Sequence, residues 1–495
     1  MDLLRPGETC WRTDRADRVA FLIDTEAYFT ALFDALKKAR RSILILGWSF
    51  DPRARLAPDG HDGPADPDEI GRVLLRLSQT LPDLDVRILI WKSALAISAS
   101  QEFFPQRARG WFKNSRIKFQ LDDQVPFGGC HHQKAVIIDD RLAFCGGGDI
   151  GVDRWDTAGH LDKDQRRIMP DQDCHAPRHE VMMMVDGAAA RALGEHFRER
   201  WLCMEDEVLT PPEDVGGDPW PEAAPAQLFD VDVGIARTRP GWRDQPRVRE
   251  ILALTLASIG QARSVIYLEN QYFTSPLVTE ALARRLAEPD GPEIVLITTG
   301  QAPSWFDQLT MDRARGAMVW RLRAADIFGR FRAFFPTTAG GEKIIVHSKV
   351  SVFDDRVLRV GSANLNNRSF GFDSEIELAV TCDSEAERIQ ISIFRDRAVG
   401  HFIGHTGAAV AKAREERGGL IPAIDHLNRD GRLSLIDPKR RGPIAELIAA
   451  LHLGDPYDVS DSWRLGRRRE HLFREARSLT LADDHTRSKS ITRGR

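Results

Sequence analysis

Apolar and polar positions alternate along most of the chain in two ways, one with strand spacing and one with helix spacing. The stretch YFTALFDALKKAR (28–40) has the period of a helix that buries one face, and the run that follows it, SILILGW, is predicted to be a buried strand. The runs VRILIW (86–91) and EIVLIT (293–298) have the length and β-branched content of further strands. This alternation of strand-sized and helix-sized segments predicts an α/β fold.

The whole pattern occurs twice, with the elements in the same order. RSILILGWSFDP at 41–52 returns as RSVIYLENQYFTSP at 263–276, and each copy follows an amphipathic helix. HHQKAVIIDDRLAFCGGGD at 131–149 matches VHSKVSVFDDRVLRVGSAN at 346–364 with identical internal spacing, and a glutamate-led strand and a helix follow each copy. A long-period duplication of this kind predicts two homologous α/β lobes.

The boundaries of the lobes follow from composition. The Pro- and Gly-rich segment TPPEDVGGDPWPEAAPAQ indicates a joint, so we expect lobes at 1–225 and 226–415. Residues 416–495 contain short helical patterns and end in an arginine-rich stretch and a polar tail. We expect a helical extension and a flexible basic tail there, and attraction of the tail to anionic lipid is the alternative interpretation.

A histidine and a lysine precede a buried strand in each repeat. His132 and Lys134 are two residues apart, as are His347 and Lys349, so side-chain alternation directs both members of a pair to one face. One such pair would be read as the polar edge of a hairpin, but two copies at identical spacing favour a catalytic site. If the lobes pack about a pseudo-twofold axis, both faces meet in one cleft whose groups suit a phosphodiester.

The expected chemistry follows from the residue types. Lys134 and Lys349 would neutralise the non-bridging phosphate oxygens together with Asn364, and we expect Asp149, which matches Asn364 in the first repeat, to belong to the phosphate-binding set as well. One histidine would attack phosphorus while the other protonates the leaving oxygen, and the roles reverse when water or an alcohol resolves the phosphohistidine.

Four acidic residues complete the expected site. Glu180 and Glu375 begin matching strands, and a carboxylate on Nδ1 would fix each histidine's tautomer and leave Nε2 to react. Asp139 and Asp354 lie at the far ends of the His/Lys strands, where we expect a structural role. A metal site is not expected at these motifs, because lysine is a poor ligand and repels a cation.

Composition narrows the possible partners and location. The chain has 495 residues, of which 42% are hydrophobic and 29% charged, and its net charge is −4, which argues against a protein that grips nucleic acid along its whole surface. The first residues have no apolar segment of a secretory signal, no run is long enough to span a bilayer, and none of the six cysteines forms a CxxC pair. We therefore expect a cytoplasmic protein that meets its membrane peripherally.

The two motifs match HxKxxxxD, the signature of the phospholipase D superfamily, and the chain resembles the phospholipase D enzymes proper in GGGDIGVDRWD (146–156), YLENQYF (267–273) and GSANLNNRSFGFDSE (361–375). The resemblance implies two lobes around one site, a covalent phosphohistidine, and no metal or cofactor for the chemistry. It also implies His132 as nucleophile and His347 as acid and base. Gly148-Asp149 departs from the Ser and Asn of nuclease-like members, which makes the two phosphate cradles unequal.

The resemblance implies a function on lipid. We expect hydrolysis of glycerophospholipids to phosphatidic acid and a free headgroup, or transfer of the phosphatidyl group to an alcohol, by a monomer. The aromatic and arginine-rich stretches at 102–112 and 327–336, with Phe334 and Phe335 in the second, are interpreted first as partly buried loops of the lobes, and a membrane-docking surface is the alternative hypothesis. The alternatives are a cardiolipin synthase-like phosphatidyltransferase, a nucleic-acid phosphodiesterase, a lipase exported as a toxin, and a scaffold that only binds anionic phospholipid.

Overall fold

The computed structural model describes residues 2–58, 68–93, 105–214, 216–302, 305–437 and 454–459. The strands in this part of the chain are β1 (Arg12–Ile23), β2 (Ser42–Gly47), β3 (Asp85–Trp91), β4 (Lys118–Asp122), β5 (Ala135–Ile138), β6 (Leu142–Gly146), β7 (Arg178–His179), β8 (Val181–Asp186), β9 (Leu228–Arg239), β10 (Val248–Arg249), β11 (Val265–Asn270), β12 (Glu293–Thr298), β13 (Phe331–Pro336), β14 (Ile345–Val346), β15 (Lys349–Phe353), β16 (Val357–Gly361), β17 (Glu375–Thr381) and β18 (Leu433–Leu435). The helices are α1 (Thr25–Lys38), α2 (Ile70–Thr80), α3 (Pro105–Trp111), α4 (Gly187–Glu205), α5 (Glu250–Gln261), α6 (Pro276–Ala287), α7 (Trp305–Ala325), α8 (Asn367–Gly371), α9 (Glu385–Ile403), α10 (Gly407–Arg417) and α11 (Leu420–Leu427).

The fold is the predicted α/β duplication. The main sheet runs in the order β18-β13-β12-β11-β15-β16-β17-β9-β1-β8-β6-β5-β2-β3-β4, so the order of strands on one side of the β9–β1 pair repeats on the other. The helix predicted over 28–40 is α1, and the strands predicted at 86–91 and 293–298 are β3 and β12. Two homologous α/β lobes are therefore confirmed.

The two lobes share one sheet because their first strands pair with each other. β1 and β9 are antiparallel over a long register that runs from Arg12 opposite Ile235 to Val19 opposite Leu228. The sequence pattern did not reveal either strand, since the first half of β1, RTDRAD, is largely charged and only its second half is apolar. β9 starts directly after the predicted joint, as the second lobe's counterpart of β1.

Alternating side chains of β1 separate two layers of core. Val19, Phe21 and Ile23 belong to a central cluster that extends into the second lobe, whereas Ala20 and Leu22 face the cluster covered by α1 and α2. The central cluster also takes residues of α4 and α9, and a third cluster buries α5, α6 and α7 against the outer face of the second lobe. Strand β6 packs on β17, and β8 on β16, so the ends of matching strands from both lobes come together.

The sheet continues beyond the boundary predicted at residue 415. That position lies inside α10, and the following residues form α11 and then β18, whose Leu435 pairs with Phe334 of β13. Hydrogen bonding thus extends the second lobe to at least β18. The basic tail predicted at the end of the chain lies outside the described residues.

The aromatic stretch at 327–336 is divided between surface and core. Ile327 and Phe328 are exposed, but Phe334 is only 2% exposed because it lies in β13, and Phe335 is half-buried. A membrane contact through Phe334 is therefore wrong, since the side chain packs in the central core. In the other stretch, residues 102–104 lie outside the described residues, and Phe112 is buried. Among the helices of the described residues, none has both the length and the apolar character needed to cross a membrane.

Candidate active site

Each histidine of the repeated motif lies just before a strand of its own lobe and is held by the backbone of the other lobe. The backbone N–H of His132 donates to the carbonyl oxygen of Ser374 at 2.9 Å, and that of His347 donates to His179 O at 2.8 Å. Ser374 and His179 immediately precede Glu375 and Glu180. The approach of the histidines to the glutamates is thus fixed by main-chain pairing between the lobes.

The glutamates contact the histidines across the lobe junction. Nδ1 of His132 lies 3.0 and 3.1 Å from the two carboxylate oxygens of Glu375, and Nδ1 of His347 lies 2.6 Å from Oε2 of Glu180. Because Nδ1 is engaged by the carboxylate, Nε2 is the nitrogen available to a substrate. A glutamate of the second lobe therefore orients the histidine of the first lobe, and a glutamate of the first lobe orients the histidine of the second.

The two glutamates differ in what supports them. Ser362 and Ser369 each donate a hydroxyl hydrogen bond to Glu375, one to either oxygen. Glu180 accepts the backbone N–H of Val181 at 3.1 Å. In the first lobe the position that matches Ser362 is Gly147, and a Cβ there would come within 2.5 Å of Oε1 of Glu180. The pseudo-symmetry of the site is therefore incomplete.

Burial disfavours the charged form of both members of each His–Glu pair, so it lowers the histidine pKa values and raises those of the glutamates. Burial and the charges of Lys134 and Lys349 hold the pKa of His132 well below its usual value, and burial with Lys349 does the same for His347. Burial raises the pKa of Glu180 to about 7 and that of Glu375 to about 8. Lysine charges and, at Glu375, the serine hydroxyls oppose this rise because they favour the ionised carboxyl.

The lysines lie beside the histidines but differ in their partners. Nζ of Lys134 donates to the carbonyl oxygen of His132 at 2.9 Å and lies 3.3 Å from Oδ2 of Asp149. Nζ of Lys349 donates to the carbonyl oxygen of His347 and to Oε1 of Gln271, both neutral acceptors. Burial lowers the pKa of Lys349 to about 7. One lysine thus has a carboxylate counter-ion, whereas the other contacts neutral oxygens.

Asp149 and Asn364 occupy matching positions with different surroundings. Oδ1 of Asp149 accepts the backbone N–H groups of Trp48 and Ser49 at 2.9 and 3.0 Å, so this carboxylate is held between the backbone and Lys134. Oδ1 of Asn364 is buried and has no hydrogen-bond partner among the described residues. Asn364 is therefore the member of the pair whose side chain keeps hydrogen-bonding capacity for a ligand.

The aspartates that end the two motifs bind backbone rather than the histidines. Asp139 accepts the N–H groups of Arg40, Arg41 and Ser42 at 2.7–2.8 Å, at the start of β2. Asp354 accepts those of three consecutive residues, 263–265, at the start of β11. Each aspartate thereby joins the end of its His/Lys strand to the neighbouring strand of its own lobe.

Three residues of the site were not predicted individually: Gln271, Ser362 and Ser369. Gln271 directly follows β11, the strand that pairs with the Lys349 strand, so its place beside that lysine follows from strand order. The serines lie in the stretch GSANLNNRSFGFDSE that carries the family resemblance. Their contact with Glu375 depends on the turn through α8, which no local pattern specifies.

Two family models match the chain, and together they cover more than half of it. The model described as Phospholipase D matches residues 35–214, and the one described as Cardiolipin synthase, PLD-like domain, matches residues 255–395. The chain belongs to the phospholipase D superfamily. Each model covers one of the two motifs, so each lobe of this chain corresponds to one phospholipase D-like domain.

Individual relatives of this superfamily member are distant. The chain is 24% identical over 484 residues to phospholipase D A of Dictyostelium discoideum, covering 83% of this chain and 36% of that protein. It is 26% identical over 395 residues to cardiolipin synthase A of Pseudomonas putida, and the match covers 77% of this chain and 68% of that protein. The crystal structure of phosphatidylserine synthase from Haemophilus influenzae Rd KW20 has a TM-score of 0.52 at 13% identity and covers 88% of this chain and 92% of that one. The chain thus spans about a third of the Dictyostelium protein's length, and the structural likeness shows the fold.

Proposed function

We propose that this protein is a phosphodiesterase that transfers the phosphatidyl group of a glycerophospholipid, through a phosphohistidine, to water or to an alcohol. The observation that carries this proposal is the crossed pairing of His132 with Glu375 and of His347 with Glu180. Two imidazoles whose Nδ1 atoms contact carboxylates, with a lysine beside each, would supply a nucleophile, an acid and two cations to one phosphate.

In the first step Nε2 of His132 attacks phosphorus, and the bond from phosphorus to the headgroup oxygen breaks. His347 donates its Nε2 proton to that oxygen, so the headgroup leaves with a neutral hydroxyl instead of an alkoxide. Glu375 keeps the proton of His132 on Nδ1, which leaves the electron pair on Nε2 for attack. The order of the two histidines is the one implied by the family resemblance.

In the second step His347 accepts a proton from water or an alcohol, whose oxygen attacks phosphorus. The bond from phosphorus to His132 breaks, and the product is phosphatidic acid or a phosphatidyl alcohol. Hydrolysis and transfer therefore share one intermediate and differ only in the acceptor. A cardiolipin synthase-like reaction is the case in which the acceptor is a lipid alcohol.

The two lysines are expected to share the phosphate charge unequally. Asp149 already balances Lys134, so we assign this carboxylate to holding the lysine in place rather than to touching phosphate. Among the described residues, Lys349 donates its hydrogen bonds to the neutral oxygens of His347 and Gln271, and an anionic phosphodiester would favour its charged form. The side-chain amide of Asn364 completes the expected contacts to the non-bridging oxygens.

Mixed phosphatidylcholine and phosphatidylethanolamine vesicles, incubated with the protein and a chelator, test the lipid assignment. We expect phosphatidic acid and free headgroup from the wild type and neither product from His132→Ala or His347→Ala. Ala is small enough that both variants should retain the wild-type circular dichroism spectrum. If vesicles give no product while a nucleic acid or a small phosphodiester is cleaved, the lipid assignment is wrong.

We also propose that exposed apolar side chains on the loops leading to the site contact the lipid surface. Phe127 is 77% exposed and lies five residues before His132, and its loop contacts the second lobe where Arg368 donates to Gly128 O at 3.1 Å. Vesicle flotation with Phe127→Ser should show weaker binding than wild type. Phe229→Ser, at an exposed residue of β9, is the matched control and should float like the wild type. Equal flotation of all three proteins would exclude this contact.

A further inference from the structure

A second cluster of titratable side chains lies beside the candidate active site and has no part in the proposed reaction. It consists of Asp24, His160, His179 and His401, and each of these side chains is more than nine-tenths buried. Asp24 follows β1, His179 ends β7, and His401 lies in α9, so the cluster spans the junction of the two lobes. Burying polar imidazoles and a carboxylate costs free energy unless partners inside the protein compensate for the lost water. The cluster therefore calls for a structural or functional reason.

The three imidazoles point at the same carboxylate. Oδ1 of Asp24 lies 2.8 Å from Nδ1 of His179 and 3.7 Å from Nε2 of His160, and Oδ2 lies 3.1 Å from Nε2 of His401. One ligand atom from each of Asp24, His160 and His179 lies within 4.8 Å of the others. Ligand atoms about 2.0–2.1 Å from a tetrahedral ion lie about 3.3 Å from each other. The ligand atoms of this cluster are separated by similar distances, so a small shift of the side chains would accommodate a metal ion.

The outer nitrogens of two of these histidines are already fixed by carboxylates. Nε2 of His179 lies 2.9 Å from Oε2 of Glu269, and Nδ1 of His160 lies 3.0 Å from Oδ2 of Asp156. A carboxylate that accepts the far N–H of an imidazole fixes its tautomer and directs the near nitrogen's electron pair inward. Metal-binding histidines are held in this way by their outer hydrogen bonds.

The atoms that face the centre of the cluster are not satisfied by protein. Oδ2 of Asp24, Nε2 of His160 and Nε2 of His401 are buried, and none of them makes a hydrogen bond of acceptable geometry within the described residues, although Oδ2 of Asp24 and Nε2 of His401 are 3.1 Å apart. A buried polar atom without a protein partner calls for an explanation, such as a bound water or ion. Three such atoms around one point are an independent sign that a ligand belongs there.

The charges in direct contact also favour a divalent cation. Asp24, Asp156 and Glu269 contribute three negative charges, and Arg167, whose Nη1 lies 3.4 Å from Oδ2 of Asp156, contributes one positive charge. When the imidazoles are neutral, as ligands of a metal ion are, the difference between three and one leaves two negative charges in a buried site. One divalent ion would balance them.

We propose that Asp24, His160, His179 and His401 form a binding site for a divalent transition-metal ion of the zinc class. Imidazole nitrogens with one carboxylate are the ligands that this class prefers. Three ligands come from the first lobe and His401 comes from the second, so the ion joins the lobes. The site is structural: the N–H of Asp24 donates to Glu180 O at 2.7 Å, and Ser348 donates to Glu269 at 2.6 Å, so the cluster supports the segments that carry Glu180 and His347.

Metal uptake by the full chain tests this site without reference to activity. Protein stripped with dipicolinate and dialysed is titrated with Co²⁺, whose visible absorption reports four-coordinate nitrogen and oxygen ligands, and zinc content is measured after reconstitution. We expect about one equivalent per chain, retained on dialysis, and a rise of at least about 3 °C in the unfolding temperature. The variant His132→Ala should bind the same amount, because its histidine belongs to the neighbouring catalytic pair.

The variants His160→Gln and His401→Gln should lose most of the metal while keeping the wild-type circular dichroism spectrum. His196→Gln removes a buried histidine outside the cluster and should keep the metal. Asp24→Asn is the alternative if a histidine variant does not fold, because asparagine tolerates the positive φ of 69° at this residue. No uptake or thermal shift in wild type would overturn the proposal, and so would unchanged uptake in the folded cluster variants.

Discussion

Oε2 of Glu375 in the second lobe lies 3.0 Å from Nδ1 of His132 in the first lobe. The motif histidine of one repeat therefore contacts a carboxylate of the other, and neither lobe has a complete His–Glu pair. Glu375→Gln should lower kcat about 10³-fold with little change in KM, because an amide that donates to Nδ1 stabilises the wrong tautomer.

Steady-state kinetics and thermal unfolding of Glu375→Gln check this expectation. The exposed Glu415→Gln on α10 is the control and should match the wild type in both measurements. A Glu375→Gln protein that folds normally and keeps kcat within about threefold would show that the contact across the lobes does not orient the nucleophile.

Gly147 leaves room for the Glu180 carboxylate. An added Cβ would lie 2.5 Å from Oε1 of Glu180 and 2.9 Å from the carbonyl oxygen of His347. Gly147→Ala should displace the glutamate and lower kcat about 10²-fold, since small misplacements of a catalytic group have effects of this size. In Gly159→Ala the nearest atom is 3.7 Å away, so this variant should be fully active. Equal activities of the two variants would contradict the packing around Glu180.

Phosphate affinity should depend on pH through Lys349. Burial lowers the pKa of this ammonium group to about 7, so the free site has the cation below that pH and a neutral amine above it. A dialkyl phosphate monoanion should therefore bind most tightly below pH 7, and its Kd should rise by up to about tenfold per pH unit above it. Calorimetric titration of the His132→Ala variant measures this binding without turnover.

The matched variant carries Lys349→Arg in the same His132→Ala background. Arginine stays charged throughout this range, so its affinity should not fall as pH rises through 7. Glu180 and Glu375 are the same in both proteins and contribute equally to any remaining pH dependence. Identical profiles with Lys and Arg at this position would assign the dependence to other groups.

The aspartates of the motifs should affect stability more than chemistry. Asp139 accepts three backbone N–H groups, and an asparagine can direct only its oxygen to them while retaining the positive φ of 53°. Asp139→Asn should lower the free energy of unfolding by about 1–3 kcal/mol and the unfolding temperature by a few degrees. Activity per folded molecule should persist below the transition, as in the control Asp383→Asn at an exposed site. An inactive protein with the wild-type unfolding temperature would give Asp139 a catalytic role instead.

The repeated spacing allowed most of the fold to be predicted, together with the motif residues that the structure brings to the junction of the lobes. Strand alternation put His132 and Lys134 on one face, and the identical interval in the second repeat supplied His347 and Lys349. The sequence did not specify which glutamate meets which histidine. That choice depends on main-chain pairing between the lobes at Ser374 and His179, which the local pattern of either lobe does not encode.

Other features were missed because their sequence signals are weak or scattered. Half of β1 is charged and exposed, so its pairing with β9 gives no apolar run to recognise. His160 and His401 are isolated along the chain and meet only when α9 packs on the first lobe. Asp149 and Asn364 occupy matching positions in the repeats, but their partners differ. Trp48 and Ser49 donate their backbone N–H groups to Asp149, and the sequence did not indicate these contacts.

The central claim is transfer of a phosphatidyl group through a covalent intermediate, and alcohol capture on phospholipid vesicles tests it most directly. Total headgroup release and both lipid products are measured while a primary alcohol is added in increasing amounts, with His347→Ala as the inactive control. We expect phosphatidyl alcohol to increase at the expense of phosphatidic acid while headgroup release stays constant or rises. Phosphatidic acid that forms without any capture, or headgroup release that falls with no phosphatidyl alcohol, would contradict the shared intermediate.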